Sequence, residues 1–132
     1  MGKKLLIVED CETQRKSLKN LLERIGYDVT DIGSGTEMVE LLLKEPFDAV
    51  LTDLQLPGLD GVKAAEIIKK SEGPNREVPI IAVTGISDDH YHLGNEFIST
   101  IFKPINIYDL SGFLDFILSN PGQEYYRYQN KI

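Results

Sequence analysis

Cysteine is scarce in this 132-residue sequence, long apolar runs are missing, and basic residues are outnumbered by acidic ones. The single cysteine, Cys11, excludes an intramolecular disulfide and fits a reducing compartment. No apolar stretch approaches the roughly 20 residues that a membrane-spanning helix needs, and the residues before the first apolar run leave no room for a signal peptide. We therefore expect a cytoplasmic protein with no membrane association.

The charge balance excludes further classes of function. Lysine and arginine number 14 against 21 aspartates and glutamates, which gives a net charge of −7. A surface of this sign repels DNA phosphates and anionic lipid headgroups, so direct nucleic-acid binding is not expected. The length and the 42% hydrophobic content predict one globular domain with a real core. We place that domain at residues 1–122 and a tyrosine-rich tail at 123–132.

Strand-like and helix-like patterns alternate along the whole chain. Short apolar runs predict strands over 5–8, 27–32, 49–52, 79–83 and 98–102. Apolar residues at helical spacing predict helices over 13–25, 36–44, 62–70, 87–97 and 107–118, and the apolar face of the first helix carries Leu18, Leu21, Leu22 and Ile25. Alternation of this kind predicts a parallel sheet with helices on both faces and right-handed crossovers.

Chemically active side chains follow four of the predicted strands. They are the acidic pair Glu9 and Asp10, then Asp53, Thr84 and Lys103. The carboxyl ends of parallel strands meet at one edge of the sheet, where open α/β folds place their chemistry. Carboxylates suit Mg²⁺, and a carboxylate nucleophile with a neighbouring ammonium and hydroxyl suits a phosphoryl group. The sequence therefore predicts a phosphoryl-transfer site at this edge.

The same residues, in the same order, resemble the receiver domain of two-component response regulators over about residues 3–120. That family has an acidic pair after the first strand, an accepting Asp after the third, Thr or Ser after the fourth, and Lys-Pro after the fifth. The Leu-Pro-Gly-Leu-Asp-Gly run over 56–61 is also typical of it. The resemblance implies a flavodoxin-like three-layer α/β sandwich with a five-stranded parallel sheet and five helices. It also implies a cis peptide bond between Lys103 and Pro104.

The resemblance further assigns roles to six residues. The Mg²⁺ ligands that it implies are Glu9 (through water), Asp10, Asp53 and the backbone carbonyl of Gln55. Asp53 would accept the phosphoryl group, while Thr84 and Lys103 would contact it. The implied function is signalling: a sensor histidine kinase or a histidine phosphotransfer protein supplies the phosphoryl group, and phosphorylation switches the binding of a downstream protein. Such a domain catalyses only its own phosphorylation and dephosphorylation.

Two other functions remain open. One is a receiver-like module that binds partners without phosphorylation. The other is an aspartyl-phosphate phosphatase resembling the haloacid dehalogenase-like hydrolases. Those enzymes require a second acidic residue two positions after the nucleophile, where this chain has Gln55.

Thr100 stands where receivers often carry an aromatic residue, three positions before the lysine. In receivers this aromatic residue moves inward on phosphorylation. Because residues two apart share a strand face, we expect Phe102 to take over part of that movement. Tyr125, Tyr126 and Tyr128 in the tail leave a homodimer contact as an open alternative to packing on the last helix.

Overall fold

Residues 2–85 and 93–119 are described by a computed structural model of the chain. Nine elements follow one another as β1 (Lys4–Val8), α1 (Glu12–Arg24), β2 (Asp28–Ile32), α2 (Gly35–Leu42), β3 (Ala49–Asp53), α3 (Gly61–Lys70), β4 (Ile80–Thr84), β5 (Ser99–Phe102) and α4 (Ile107–Ser119). None of the helices in these ranges is long and apolar enough to cross a bilayer.

The sheet is five-stranded, with the strand order β2-β1-β3-β4-β5 and parallel pairing throughout. This confirms the predicted α/β sandwich and its parallel sheet. The first strand, β1, lies next to the edge of the sheet, with β2 on its outer side and β3 on its inner side. The direction in which successive strands are added to the sheet therefore reverses between β1 and β3. At such a point a crevice forms at the carboxyl ends of the two strands.

Two apolar layers cover the two faces of the sheet. On one face, residues such as Leu6, Val50 and Ile80 pack against Met38 of α2 and Ile68 of α3. On the other face, Leu5, Leu51 and Ile81 pack against Leu22 of α1 and Leu114 of α4. Adjacent strand residues point to opposite faces, so continuous apolar runs are required in strands that are covered on both sides.

Helix α1 is less buried than its apolar spacing indicates. Leu22 is its one fully buried residue, while Leu21 and Ile25 are 39% and 46% exposed. The four residues have the predicted helical spacing, but they are not all buried in the core. Helix α2 ends at Leu42 rather than at residue 44, and the carbonyl of Leu42 accepts a hydrogen bond from the side chain of Asn75.

The predicted helix over 87–97 is wrong where it can be compared with the structure. Residues 93–97 form a turn around Asn95 and Glu96, with the Phe97 amide donating to the Gly94 carbonyl over 3.5 Å. A glycine inside a weak helical pattern favours such a turn. The rest of this segment, 87–92, and the tail over 123–132 lie outside the described residues, which contain four of the five predicted helices.

Candidate functional site

The strand register places the predicted site residues side by side. Val8 pairs with Thr52 and Asp53 pairs with Val83, so Glu9 and Asp53 end adjacent strands next to each other. Asp53 is the last residue of β3 rather than the first residue of a loop. Its backbone is therefore held in the sheet while its side chain reaches the carboxyl edge.

Three carboxylates converge there. One oxygen from each of Glu9, Asp10 and Asp53 lies within 4.8 Å of the others, and no other such group occurs within 2–85 and 93–119. Glu9 and Asp53 are buried, whereas Asp10 is exposed. Hard oxygen donors in an incomplete shell that is open to water form the kind of site that Mg²⁺ occupies beside a phosphate.

Lys103 reaches across this cluster from the end of β5. Its Nζ donates hydrogen bonds to Glu9 Oε1 at 2.7 Å and to Asp53 Oδ2 at 3.1 Å. The main-chain amide of Lys103 donates to the carbonyl of Thr84 over 2.8 Å, and the Lys103–Pro104 bond is cis, as expected. The backbone of β4 therefore fixes the point from which this long side chain departs.

The pKa values in the cluster shift in different directions. Burial raises the pKa of Glu9, but hydrogen bonds from Lys103 and from the Cys11 amide outweigh burial and lower the net value. Burial also raises the pKa of Asp53, and here Lys103 offsets it only in part. For Lys103, burial lowers the pKa, but the bonds to Glu9 and Asp53 prevail and raise it. The ammonium is therefore held in its charged form between two carboxylates.

The loop after Asp53 shapes the other side of the site. The Gln55 amide donates to Asp53 Oδ1 over 3.3 Å, so Asp53 accepts a bond at each of its oxygens. Gly58 has φ of 75°, a conformation that favours glycine, and a Cβ at Gly61 would collide with the carbonyl of Asp53. Asp60 then caps α3 by accepting from the Lys63 amide over 2.9 Å. The Pro-Gly-Leu-Asp-Gly run thus turns the chain sharply beside the acidic cluster.

An open cleft of about 710 Å³ lies over the cluster, lined by residues that include Glu9, Asp10, Asp53, Gln55 and Lys103. A neighbouring groove of about 590 Å³ runs from the same site along α1 toward Ile105 and Ile107. Thr84 is brought to the same edge of the sheet, but it is 1% exposed in the last position of β4. Five of the six predicted residues therefore line one cleft, and the sixth, Thr84, is buried at the same edge of the sheet.

Two residues at the site were missed by the sequence prediction. Gln14 Oε1 accepts a third hydrogen bond from Lys103 Nζ at 3.1 Å, and the guanidinium of Arg15 bonds to the carbonyl of Glu9. Both lie in the first turns of α1, which starts two residues after the acidic pair. That position was the available signal, because the start of a helix that follows a site residue stays close to it.

An open parallel α/β sheet with an acidic cluster and a lysine at its carboxyl edge is the arrangement expected of a receiver domain. The family model described as response regulator receiver domain matches residues 5–114. The chain therefore belongs to the response regulator receiver domain family, a signalling module of two-component systems, and the resemblance read from the sequence is confirmed.

Individual relatives agree with this assignment. The chain is 36% identical over 87 residues to the polar-differentiation response regulator DivK of Brucella ovis, a match covering 66% of this chain and 70% of that protein. It is 32% identical over 83 residues to the CAI-1 autoinducer sensor kinase/phosphatase CqsS of Vibrio cholerae, covering 63% of this chain but spanning only 12% of that kinase. Among solved structures, the receiver domain of the sensor histidine kinase PA1611 of Pseudomonas aeruginosa has a TM-score of 0.84 at 30% identity, covering 91% of this chain and all of that domain. That structure holds a magnesium ion in its active-site cleft.

Proposed function

We propose that this chain accepts a phosphoryl group on Asp53 from a phosphohistidine and thereby switches the binding of a protein partner. The observation that carries the proposal is the position of the Asp53 carboxylate. It stands at the edge of an open cleft, with one oxygen held by the Gln55 amide and the other by Lys103 Nζ. A carboxylate anchored in this way is directed at a group entering the cleft rather than free to rotate.

The chemistry required is a single displacement at phosphorus. A carboxylate oxygen of Asp53 forms a bond to phosphorus, the bond between phosphorus and the imidazole nitrogen breaks, and the electron pair stays on the imidazole. Because charge spreads over the phosphoryl oxygens during this step, the ammonium of Lys103 lowers the barrier. We assign Thr84 a contact with the same oxygens after transfer.

The donor set fits Mg²⁺, since three carboxylate oxygens within 4.8 Å match the ligands that this ion takes from proteins. Glu9, Asp10, Asp53 and the backbone carbonyl of Gln55 would hold it, with Glu9 acting through water. When bound, the ion neutralises phosphoryl charge beside the accepting carboxylate. The magnesium in the cleft of the related PA1611 receiver domain supports this assignment.

Several parts of the assignment extend beyond the site itself. We propose that the receiver domain spans 1–122, that 123–132 is a tail, and that a sensor histidine kinase or a phosphotransfer protein is the donor. A cytoplasmic location and a homodimer remain predictions. As a signalling domain the chain would catalyse only its own phosphorylation and dephosphorylation, and the alternatives are a phosphorylation-independent module and an aspartyl-phosphate phosphatase.

Intact-mass measurement after incubation with acetyl phosphate and Mg²⁺ tests the proposal. We expect one phosphoryl adduct on the wild type, none without Mg²⁺ and none on Asp53→Ala. The control is Asp28→Ala, which removes an exposed carboxylate at the opposite edge of the sheet and should leave the adduct intact. No adduct with either acetyl phosphate or a phosphohistidine donor would favour the phosphorylation-independent module, and turnover of added phosphate esters would favour the phosphatase.

A further inference from the structure

Arg15 of α1 makes a forked contact that joins the acidic pair to the neighbouring strand. Its Nη1 donates to the backbone carbonyl of Glu9 over 3.0 Å, and its Nε donates to Asp31 Oδ2 over 2.8 Å. The side chain is only 15% exposed, so these bonds are partly shielded from water. A planar guanidinium with two fixed bonds is oriented in a way that a single charge is not.

The carboxylate that orients Arg15 is itself strongly held. Asp31 is 6% exposed on its side chain and also pairs with Lys16 at 2.9 Å and Lys19 at 3.5 Å. Burial raises the pKa of Asp31, but hydrogen bonds from Lys16 and Arg15 prevail and lower it. Asp31 therefore stays ionised, and this one residue of β2 pairs with three basic side chains of α1.

The backbone provides the room that this contact needs. A Cβ at Gly33 would stand 3.1 Å from Arg15 Nη1 and 3.9 Å from the Glu9 carbonyl oxygen. The Glu9 amide donates to the Ile32 carbonyl over 3.0 Å, so the Glu9 main chain is bonded at both its donor and its acceptor. The Arg15 bond to the Glu9 carbonyl therefore holds the orientation of the peptide between Glu9 and Asp10, and the bond to Ile32 holds the peptide that precedes it.

We infer that Arg15 is a positioning residue for the metal site: by holding the carbonyl of Glu9, it fixes the direction in which the Asp10 carboxylate leaves the chain. Asp10 is the exposed member of the acidic cluster, so the sheet and the core give its side chain the least support. Groups that orient metal ligands without touching the metal typically contribute about 10–100-fold to affinity. The inference rests on the proposed function, since it concerns the same Mg²⁺ site.

A role in positioning and a role as a nearby charge predict opposite results. If Arg15 acted only through its charge, its removal would tighten Mg²⁺ binding, because one cation would no longer repel another. If Arg15 holds the ligands in place, its removal weakens Mg²⁺ binding despite the lost repulsion. The sign of the change therefore distinguishes the two roles.

Calorimetric titration with Mg²⁺ alone, on the unphosphorylated full chain, makes the measurement. We expect Arg15→Met to raise the Kd for Mg²⁺ about 10-fold. The control Arg24→Met removes the same charge from the exposed last turn of α1 and should leave the Kd close to the wild-type value. Thermal unfolding of each variant establishes that the titrations are made on folded protein.

Gly33→Ala gives a second route that changes no charge. The added methyl group presses on the Arg15 guanidinium, so the Kd should rise in the same direction by a smaller factor, whereas Gly73→Ala, far from the site, should not change it. An unchanged or lower Kd in Arg15→Met, or in Gly33→Ala if Arg15→Met does not fold, overturns the inference and leaves the proposed function standing. Absence of Mg²⁺ binding by the wild type would instead remove the proposed function.

Discussion

Lys103 Nζ lies 3.1 Å from Asp53 Oδ2, although 50 residues separate the two in the chain. The same ammonium lies 2.7 Å from Glu9 Oε1, so it neutralises part of the charge of the acidic cluster in the unphosphorylated protein. A cation arriving at the cluster therefore competes with Lys103 for two of its carboxylates, while an arriving phosphoryl group gains a partner from it.

Lys103→Met should separate these two effects. Mg²⁺ should bind more tightly, because the competing ammonium is gone, yet the adduct from acetyl phosphate should form about 100-fold more slowly, because the charge on the phosphoryl oxygens loses its partner. Calorimetry and intact mass measure the two quantities. Lys70→Met, an equal charge change on the exposed end of α3, should alter neither. Unimpaired phosphorylation of Lys103→Met would contradict the role assigned to this lysine.

Phe102 stands opposite Thr84 in the β4–β5 register, on the strand face that Thr100 shares. We therefore expect a movement of Thr84 toward a phosphoryl group to displace Phe102. We expect Phe102→Ala to be phosphorylated at the wild-type rate but to lose the change in amide hydrogen exchange across 99–102 that phosphorylation produces. Its partner should then no longer distinguish the two forms. The control Tyr108→Ala removes a highly exposed aromatic ring and should retain the change in hydrogen exchange. If Phe102→Ala also retained that change, the hypothesis would be contradicted.

Asn75 joins three backbone groups that the loop would otherwise bury without partners. Its Oδ1 accepts from the Phe47 amide at 2.9 Å, and its Nδ2 donates to the carbonyls of Leu42 and Glu45 at 2.6 and 2.7 Å. Asn75→Ala should lower the free energy of unfolding by at least about 2 kcal/mol, because each orphaned buried group costs roughly 1–3 kcal/mol. Urea unfolding measures this loss. The exposed Asn95→Ala is the matched control, and equal stability of the two variants would refute the assignment.

Lys69 predicts a pH dependence of stability. Burial lowers its pKa to about 8 from an ordinary value of 10.5, against the opposing effects of Glu77 and Glu96, and its Nζ donates to the carbonyl of Val78. Between these two values the unfolded chain binds a proton that the folded chain does not, so this residue makes stability rise with pH. The rise should be on the order of 1 kcal/mol, since Lys69 remains partly exposed and screened.

Urea unfolding at about pH 7 and about pH 10 isolates this contribution. Lys69→Met should lose the rise, and Lys70→Met, which changes the next residue on the exposed face, should keep it. The same rise in Lys69→Met as in the wild type would show that other groups produce it.

Most of the fold could be read from the sequence because burial on both faces of a strand, and on one face of a helix, repeats with a local period. The strand bounds agree to within a residue, and the acidic pair, Asp53 and Lys103 were found because each directly follows an apolar run. The weak pattern over 87–97 failed at its described end, where Gly94 begins a turn. The local spacing of apolar residues does not show whether a weak helix or such a turn is the more stable conformation.

The order of the elements, the parallel sheet and the candidate site residues next to the strand ends could be derived from the amino-acid sequence, since these depend on short-range patterns and on rules of chain connection. The hydrogen-bond partners of those residues could not be derived in this way, because they lie far away along the chain. Lys103 donates a hydrogen bond to Glu9, 94 residues away, and Arg15 donates one to Asp31 on β2. The side chain of Asn75 donates to the last backbone carbonyl of α2. The partner of a long polar side chain depends on where distant backbone segments lie in the folded protein. The positions of those segments follow from the packing of the whole core.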